Sequence, residues 1–260
     1  MTTKFKIPEL RMPTLEEHRA ASAAWLKRVG PCLYENWPEA LKAMSFRSDL
    51  LELTATDQET LRGLYDEKPN ETALNALAQR ITAAIARIDP DGCFVKLSSR
   101  SPKDTFFPDV PRFQTGDDVL GAFMNSERIL DDLTEYRYAD AACYLLLREF
   151  QPIPAHEEFR CFIREGRIAG VSQYQYRDFF PELVAARGAV AARCFAFLES
   201  ILPKLHVQDI VVDVWLGETP MLIEINPYGL SDPCLLDYPE LETAERLFRL
   251  VESQPKSEAA

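Results

Sequence analysis

Between residues 71 and 88 apolar side chains recur at three- and four-residue steps: Leu74, Leu77, Ile81, Ile85 and Ile88. That spacing predicts an amphipathic helix with one buried stripe. Helices are also expected over 14–27, 38–44 and 57–64, so residues 1 to about 91 read as a mostly helical amino-terminal region. Trp25, Tyr34 and Trp37 are expected where its helices meet, and His18 on a helix surface.

The pattern then shortens. Asp89-Pro90-Asp91-Gly92 predicts a turn into Cys93-Phe94-Val95-Lys96-Leu97, an apolar strand interrupted by one lysine, followed by the polar loop Ser98-Ser99-Arg100-Ser101-Pro102-Lys103-Asp104. A helix is expected over 117–139 and a strand over 143–150. The proline-stiffened stretch 151–156 reads as a hinge between two lobes. Beyond it, 157–164 and 167–174 predict a hairpin around Glu165-Gly166, 181–202 a helix, and 240–252 a last helix before a disordered tail at 253–260.

Residues 210–226 alternate with a period of two. Ile210, Val212, Val214, Leu216, Met221, Ile223 and Ile225 share one face, and Asp213, Glu224 and Asn226 the other. The breakers Gly217-Glu218-Thr219-Pro220 predict a hairpin closing with Leu216 opposite Met221, which sets Asp213 opposite Glu224. Opposed carboxylates repel unless something compensates, and a hard divalent cation does so, with Asn226 adding a neutral oxygen. A solvated hairpin face carrying two acids is the plainer alternative to a magnesium site.

Two further groups carry candidate chemistry. Lys96 on an interior-looking strand is costly unless its ammonium meets an anion, for which phosphate is the natural choice, with Lys103 and the loop hydroxyls nearby. An edge-strand lysine pointing into water is the alternative. Glu158, Arg160 and Phe162 share a strand face, so the first two form either a surface ion pair or a ribose or phosphate contact.

Composition narrows the classes. The 260 residues are 47% hydrophobic and 10% aromatic, ordinary for a folded chain. A net charge of −12 weighs against a surface that attracts nucleic acid or anionic membrane as a whole, although Arg100, Lys103, Arg160, Arg164 and Arg167 leave a local basic groove open. Six scattered cysteines without a C-x-x-C pair suggest neither zinc nor a disulfide framework, and no apolar run spans a membrane; a cytoplasmic setting is expected. Walker, G-x-G-x-x-G and G-x-S-x-G motifs are absent, and the three histidines are far apart.

Three stretches together resemble the cell division cycle protein 123 family of the ATP-grasp superfamily. They are Phe94-Val95-Lys96-Leu97 with Ser101-Pro102-Lys103-Asp104; Leu147-Arg148-Glu149-Phe150 with Glu158-Phe159-Arg160-Cys161-Phe162 and Val171-Ser172-Gln173; and Asp213 with Leu222-Ile223-Glu224-Ile225-Asn226-Pro227-Tyr228-Gly229. The resemblance covers roughly residues 92–236. It implies an α+β ATP-grasp fold, two lobes with antiparallel sheets around an ATP cleft, with 92–150 in one lobe and 151–252 in the other. It also implies phosphate contacts from Lys96, Ser101 and Lys103, an adenine slot along Arg148, Glu149 and Phe150, nucleotide contacts from Glu158 and Arg160, and magnesium on Asp213, Glu224 and Asn226. Catalytic roles then fall to Lys96, Lys103 and Arg160.

The chain departs from the family pattern at Ser98 (usually Asn), Lys103 (usually Arg), Glu224 (usually Asp) and Tyr174 (usually Arg). The functions implied are an ATP-dependent ligase activating an acceptor carboxylate or phosphate, an ATP-binding assembly chaperone for translation initiation factor 2, or an RNA-end ligase. Small acids, peptides and RNA ends are the acceptors this admits, with a protein of the translation machinery as a further partner.

Overall fold

The structure, a computed structural model, describes residues 11–63, 70–105 and 112–254. It consists of two sheets, each with its own apolar core. The first sheet has the order β1-β3-β2, all antiparallel, from β1 (Ser48–Leu53), β2 (Cys93–Leu97) and β3 (Cys143–Glu149). Val95, Leu97, Leu145 and Leu147 on one face pack against four helices: α3 (Ala55–Gly63), α4 (Glu71–Ile88), α5 (Gly116–Met124) and α6 (Glu127–Tyr138). Helix α4 has the bounds its apolar spacing predicts, with Leu77, Ile81, Ile85 and Ile88 buried and Asn70 capping its first turn. Close packing continues at the start of α5, where a Cβ on Gly116 would lie 2.0 Å from the Ala78 carbonyl of α4.

The second sheet has the order β7-β6-β4-β5-β8, built from β4 (Glu158–Arg164), β5 (Arg167–Gln173), β6 (Ile210–Trp215), β7 (Met221–Pro227) and β8 (Leu247–Arg249). Three of its four pairings are antiparallel; β8 runs parallel to β5. One face buries Phe159, Cys161, Val171, Val212 and Val214 against Cys194, Leu198 and Ile201 of α8 (Arg187–Ile201). The α+β class with two sheet-based lobes therefore holds.

Several expected elements differ. The region read as mostly helical contains β1, and it forms no layer of its own. After α1 (Leu15–Val29), Leu33 and Leu53 join the first core, whereas Cys32, Tyr34, Trp37 and Leu41 join the second. The helix expected over 117–139 is two, because Asn125 ends α5 and the Ser126 hydroxyl caps α6. The span 181–202 likewise divides, at Ala186, into α7 (Pro181–Ala185) and α8. The last helix is absent: α9 (Tyr238–Leu241) is one turn, and β8 follows it. Burial of Phe248 against Phe159 and Phe195 outweighs the helical spacing there. Most of the tail, and Leu64 of the third expected helix, lie outside the described residues.

The β6–β7 hairpin pairs Asp213 with Glu224 as predicted, but a bulge after Asp213 shifts the rest, so Trp215 faces Met221. The bulge turns Leu222 into the core in place of Ile223. It leaves the Ile223 carbonyl free for another partner.

Candidate functional site

The second sheet's other face carries its oxygens in a row. Glu224 on β7 lies opposite Asp213 on β6, Asp213 opposite Arg160 on β4, and Arg160 opposite Ser172 on β5. Directly opposed side chains start about 5 Å apart, so these groups meet. Arg160 clamps Asp213 through two hydrogen bonds of 2.9 Å, from Nε and Nη2, and donates from Nη1 to the Asp232 carbonyl at 3.0 Å. Asn226 places its amide nitrogen 3.4 Å from Asp213 Oδ2.

The first sheet faces this row with cations. Lys96 is only 5% exposed and pairs directly with Glu224 across the cleft. This disposes of the lysine in water: β2 is an edge strand, yet its lysine points inward. Lys103 Nζ, on the loop after β2, donates to Tyr174 Oη at 2.9 Å. Arg148 Nη1 donates to the Ile223 carbonyl at 2.5 Å, its Nε to Ser48 Oγ at 3.1 Å, and its guanidinium lies against the rings of Tyr34 and Phe46. Three contacts thus tie the two sheets together.

The loop carrying Lys103 is held from below. Asp104 accepts from Ser126 Oγ and Arg128 N at the start of α6, and Arg100 pairs with the fully buried Asp132 on the same helix. Ser101 is buried, and its carbonyl accepts from the Lys103 N–H, a tight turn that presents the Lys103 side chain outward.

These surroundings set the charge states. Desolvation raises Glu224, but Lys96 and then Lys103 overcome it and hold the carboxylate at about 2. Glu158 goes the other way: burial, then the Asp213 charge, pushes it up to about 7 against Lys103 and Arg160. Burial without a carboxylate partner lowers Arg148 to about 10. Arg160 is desolvated too, yet its two bonds to Asp213 leave it above the ordinary guanidinium value.

Of the expected site residues, Lys96, Lys103, Glu158, Arg160, Asp213, Glu224 and Asn226 converge on one inter-sheet cleft. Arg148 borders it as a tether. Glu149 and Phe150 are engaged elsewhere: the Glu149 carboxylate accepts from Arg47 N at 2.9 Å, and Phe150 lies beneath Arg112. The five cations considered for a basic groove do not form one. Arg164 and Arg167 flank the far end of the β4–β5 hairpin, about 13 Å or more along the strand from Arg160. They are neutralised there by Asp209, Glu242, Glu165 and Glu245.

Two cleft residues have no counterpart among the expected ones. Glu35, from the turn after α1, accepts from Ser98 Oγ at 3.1 Å, and its other oxygen is enclosed without a hydrogen-bond partner. Burial raises its pKa, with Lys96 and Lys42 opposing. Nothing in the local pattern marks Glu35, because 63 residues separate it from Ser98. Tyr174 stands out in the sequence only as a departure from the family pattern, where arginine is usual, with no role assigned to it.

Whether the residues fit a divalent cation turns on donor chemistry. Asp213, Glu224 and Asn226 offer the hard oxygens magnesium takes, two of them charged. Among the described residues no group of three or more His, Cys, Asp or Glu is placed to hold a metal, so the donor set here is two carboxylates and one amide. Lys96 and Arg160 now supply the positive charge that these carboxylates require.

Comparison with known proteins follows the same lines. A translation initiation factor eIF2 assembly protein from Xenopus tropicalis is 27% identical over 169 residues, 59% of this chain and 50% of that protein. Its Candida albicans namesake is 29% identical over 167 residues, 57% of this chain and 48% of that one. The chain therefore spans about half the length of the curated relatives it matches. Cdc123 from Schizosaccharomyces pombe superposes with a TM-score of 0.70 at 22% identity, over 84% of this chain and 95% of that one, and so has the same fold. The D123 family model matches residues 37–260, which takes in both sheets and every cleft residue named above except Glu35, and the chain belongs to the D123 family.

Proposed function

We propose that the cleft binds Mg-ATP in the ATP-grasp manner. The observation that carries this reading is the meeting, in one cleft, of Lys96 and Lys103 from the first sheet with the row Glu224, Asp213 and Arg160 on the second. Lys96 and Lys103 would take phosphate oxygens, and Asp213, Glu224 and Asn226 would hold the magnesium. The ion supplies charge neutralisation of the phosphates. Arg160 holds Asp213 in place through its two hydrogen bonds, and Lys96 would give its ammonium to the nucleotide once Glu224 served the metal. Arg148 holds the β7 backbone at the bulge, and so fixes the height of Glu224 in the cleft.

What the bound nucleotide serves is favoured by the relatives, which carry the name translation initiation factor eIF2 assembly protein. In that reading Mg-ATP sets the relative position of the two sheets and a protein partner reads it. A ligase, in which ATP activates an acceptor carboxylate or phosphate, is the competing use of the same site.

Calorimetric titration of ATP tests the site, with magnesium and with excess chelator. The expected result is magnesium-dependent binding that Asp213→Ala or Glu224→Ala abolishes in folded protein. Unchanged affinity in both variants defeats the proposal. Release of ADP or AMP in the presence of small acids or peptides selects the ligase; binding without turnover selects the assembly role.

A further inference from the structure

Among the described residues, the outer end of the cleft holds unused hydrogen-bond donors beside one carboxyl, Glu158, that takes up none of them. Lys103 Nζ donates to Tyr174 Oη, which leaves two of its three N–H groups unused there. Because the phenol oxygen is the acceptor in that contact, its own hydrogen points to another partner, and no second hydrogen bond of Tyr174 Oη occurs among the described residues. Arg160 lies 4.7 Å from the centre of the Tyr174 ring. Three of its five N–H groups go to Asp213 and the Asp232 carbonyl, so two remain. An ammonium, a phenol and a guanidinium thus crowd together with donors to spare.

The tyrosine is held firmly in this position. Its N–H donates to the Glu158 carbonyl at 3.1 Å, and its own carbonyl accepts from Cys234 Sγ. That places the ring on the face of Glu158 and Arg160, bridging the loop of Lys103 to the second sheet. Burial keeps the phenol above its ordinary pKa, with Lys103 opposing and Asp213 adding, so it remains a donor at neutral pH. Lys103 stays a cation: its loss of hydration, partial because the residue is exposed, is outweighed by Tyr174 and the Glu224 and Asp213 charges.

We infer that Tyr174 is a binding residue for the distal phosphate of the nucleotide, donating its phenol hydrogen to a phosphate oxygen that Lys103 and Arg160 also contact. This rests on the Mg-ATP reading of the cleft and adds to it the residue that distinguishes a triphosphate from a monophosphate. A guanidinium at ring distance and an ammonium on the hydroxyl both favour an anion here.

The test is Tyr174→Phe, which removes one oxygen and keeps the ring. ATP, ADP and AMP are titrated with magnesium into both proteins, with thermal unfolding as the check that the fold is retained. A hydrogen bond to a charged group predicts a loss of ATP affinity of roughly ten- to a hundredfold, with AMP affinity unchanged. Equal weakening of all three nucleotides overturns the inference, as does no change. Tighter ATP binding also overturns it, because Tyr174 then merely withholds Lys103. Lys103→Met gives a second arm with the same ATP-against-AMP contrast. Should the wild type bind no ATP, the Mg-ATP reading fails by itself, and tripolyphosphate becomes the probe: binding that Tyr174→Phe weakens keeps the anion site, and indifference to the substitution ends it.

Discussion

The inner and outer ends of the cleft are built on opposite plans. At the inner end both cations are fully engaged: Lys96 sits on Glu224, and Arg148, lacking a carboxylate, is satisfied by the Ile223 carbonyl, a serine hydroxyl and two rings. At the outer end Glu158 makes no hydrogen bond through its carboxyl among the described residues, and Lys103, Tyr174 and Arg160 have donors left over. A matched set holds the two sheets together, whereas an unmatched set is what a ligand of complementary charge completes. Binding chemistry should therefore concentrate at the outer end and stability at the inner end, with the Arg160–Asp213 pair between them serving both.

That middle pair gives the largest expected effect. Asp213 is 2% exposed, so Arg160→Ala leaves a buried carboxylate without its two hydrogen bonds. The expected loss is about 3–5 kcal/mol, measured from urea unfolding. Removing both partners, in Arg160→Ala with Asp213→Ala, should recover much of it, since the penalty lies in the uncompensated charge. A double variant no more stable than the single one means the pair is not what holds this part of the sheet. At the inner end, Lys96→Met strands a Glu224 side chain that is 25% exposed, so water compensates in part and the loss falls to about 1–2 kcal/mol.

The two ends should also separate by pH, in opposite directions. Glu224 is held at about 2, below the 4.5 of a free glutamate, so its stabilisation is present above pH 4.5 and lost as pH falls toward 2. Glu158 is raised to about 7, so the unfolded chain ionises first. Stability from this group is full below pH 4.5 and lost as pH rises through 7. Glu158→Gln should accordingly be more stable than the wild type at pH 8, by on the order of 1–3 kcal/mol, and equal to it at pH 4. Glu224→Gln should flatten the acid limb between pH 4.5 and 2. Equal pH dependence of the two variants in unfolding experiments erases the distinction between the ends.

Local pattern carried the fold where local forces decide it. The α4 stripe, the β4–β5 hairpin and the Asp213–Glu224 pairing follow from spacing and turn residues, and they sufficed to oppose the two carboxylates; that Arg160 shares their face required the β4–β6 pairing. What escaped depends on contacts distant in sequence. Strand β1 is specified by its pairing with β3, some 90 residues on, and β8 by the aromatic packing of Phe248. The bulge after Asp213 leaves no mark in the alternation, yet it exchanges Leu222 for Ile223 in the core. Glu35 reaches the cleft only because the turn after α1 lies on the second core. The cations were legible as residue types, and the assignment of Lys96 to Glu224 and Lys103 to Tyr174 required the second sheet to be in place.

The smallest effect on stability, and the sharpest contrast between the ends, is expected from Lys103. Its side chain is exposed at the cleft mouth, and among the described residues it hydrogen-bonds the second sheet through Tyr174 alone. Lys103→Met should change unfolding stability by no more than about 0.5 kcal/mol, because solvent replaces the lost partner. Mg-ATP affinity should nevertheless fall roughly tenfold or more, since the ammonium has two donors that Tyr174 does not take up. Lys96→Met, by contrast, should lower stability and affinity together. If the Lys103 variant loses stability on the Lys96 scale, the outer loop is a structural tie like the inner lysine, and the cleft has a single plan from one end to the other.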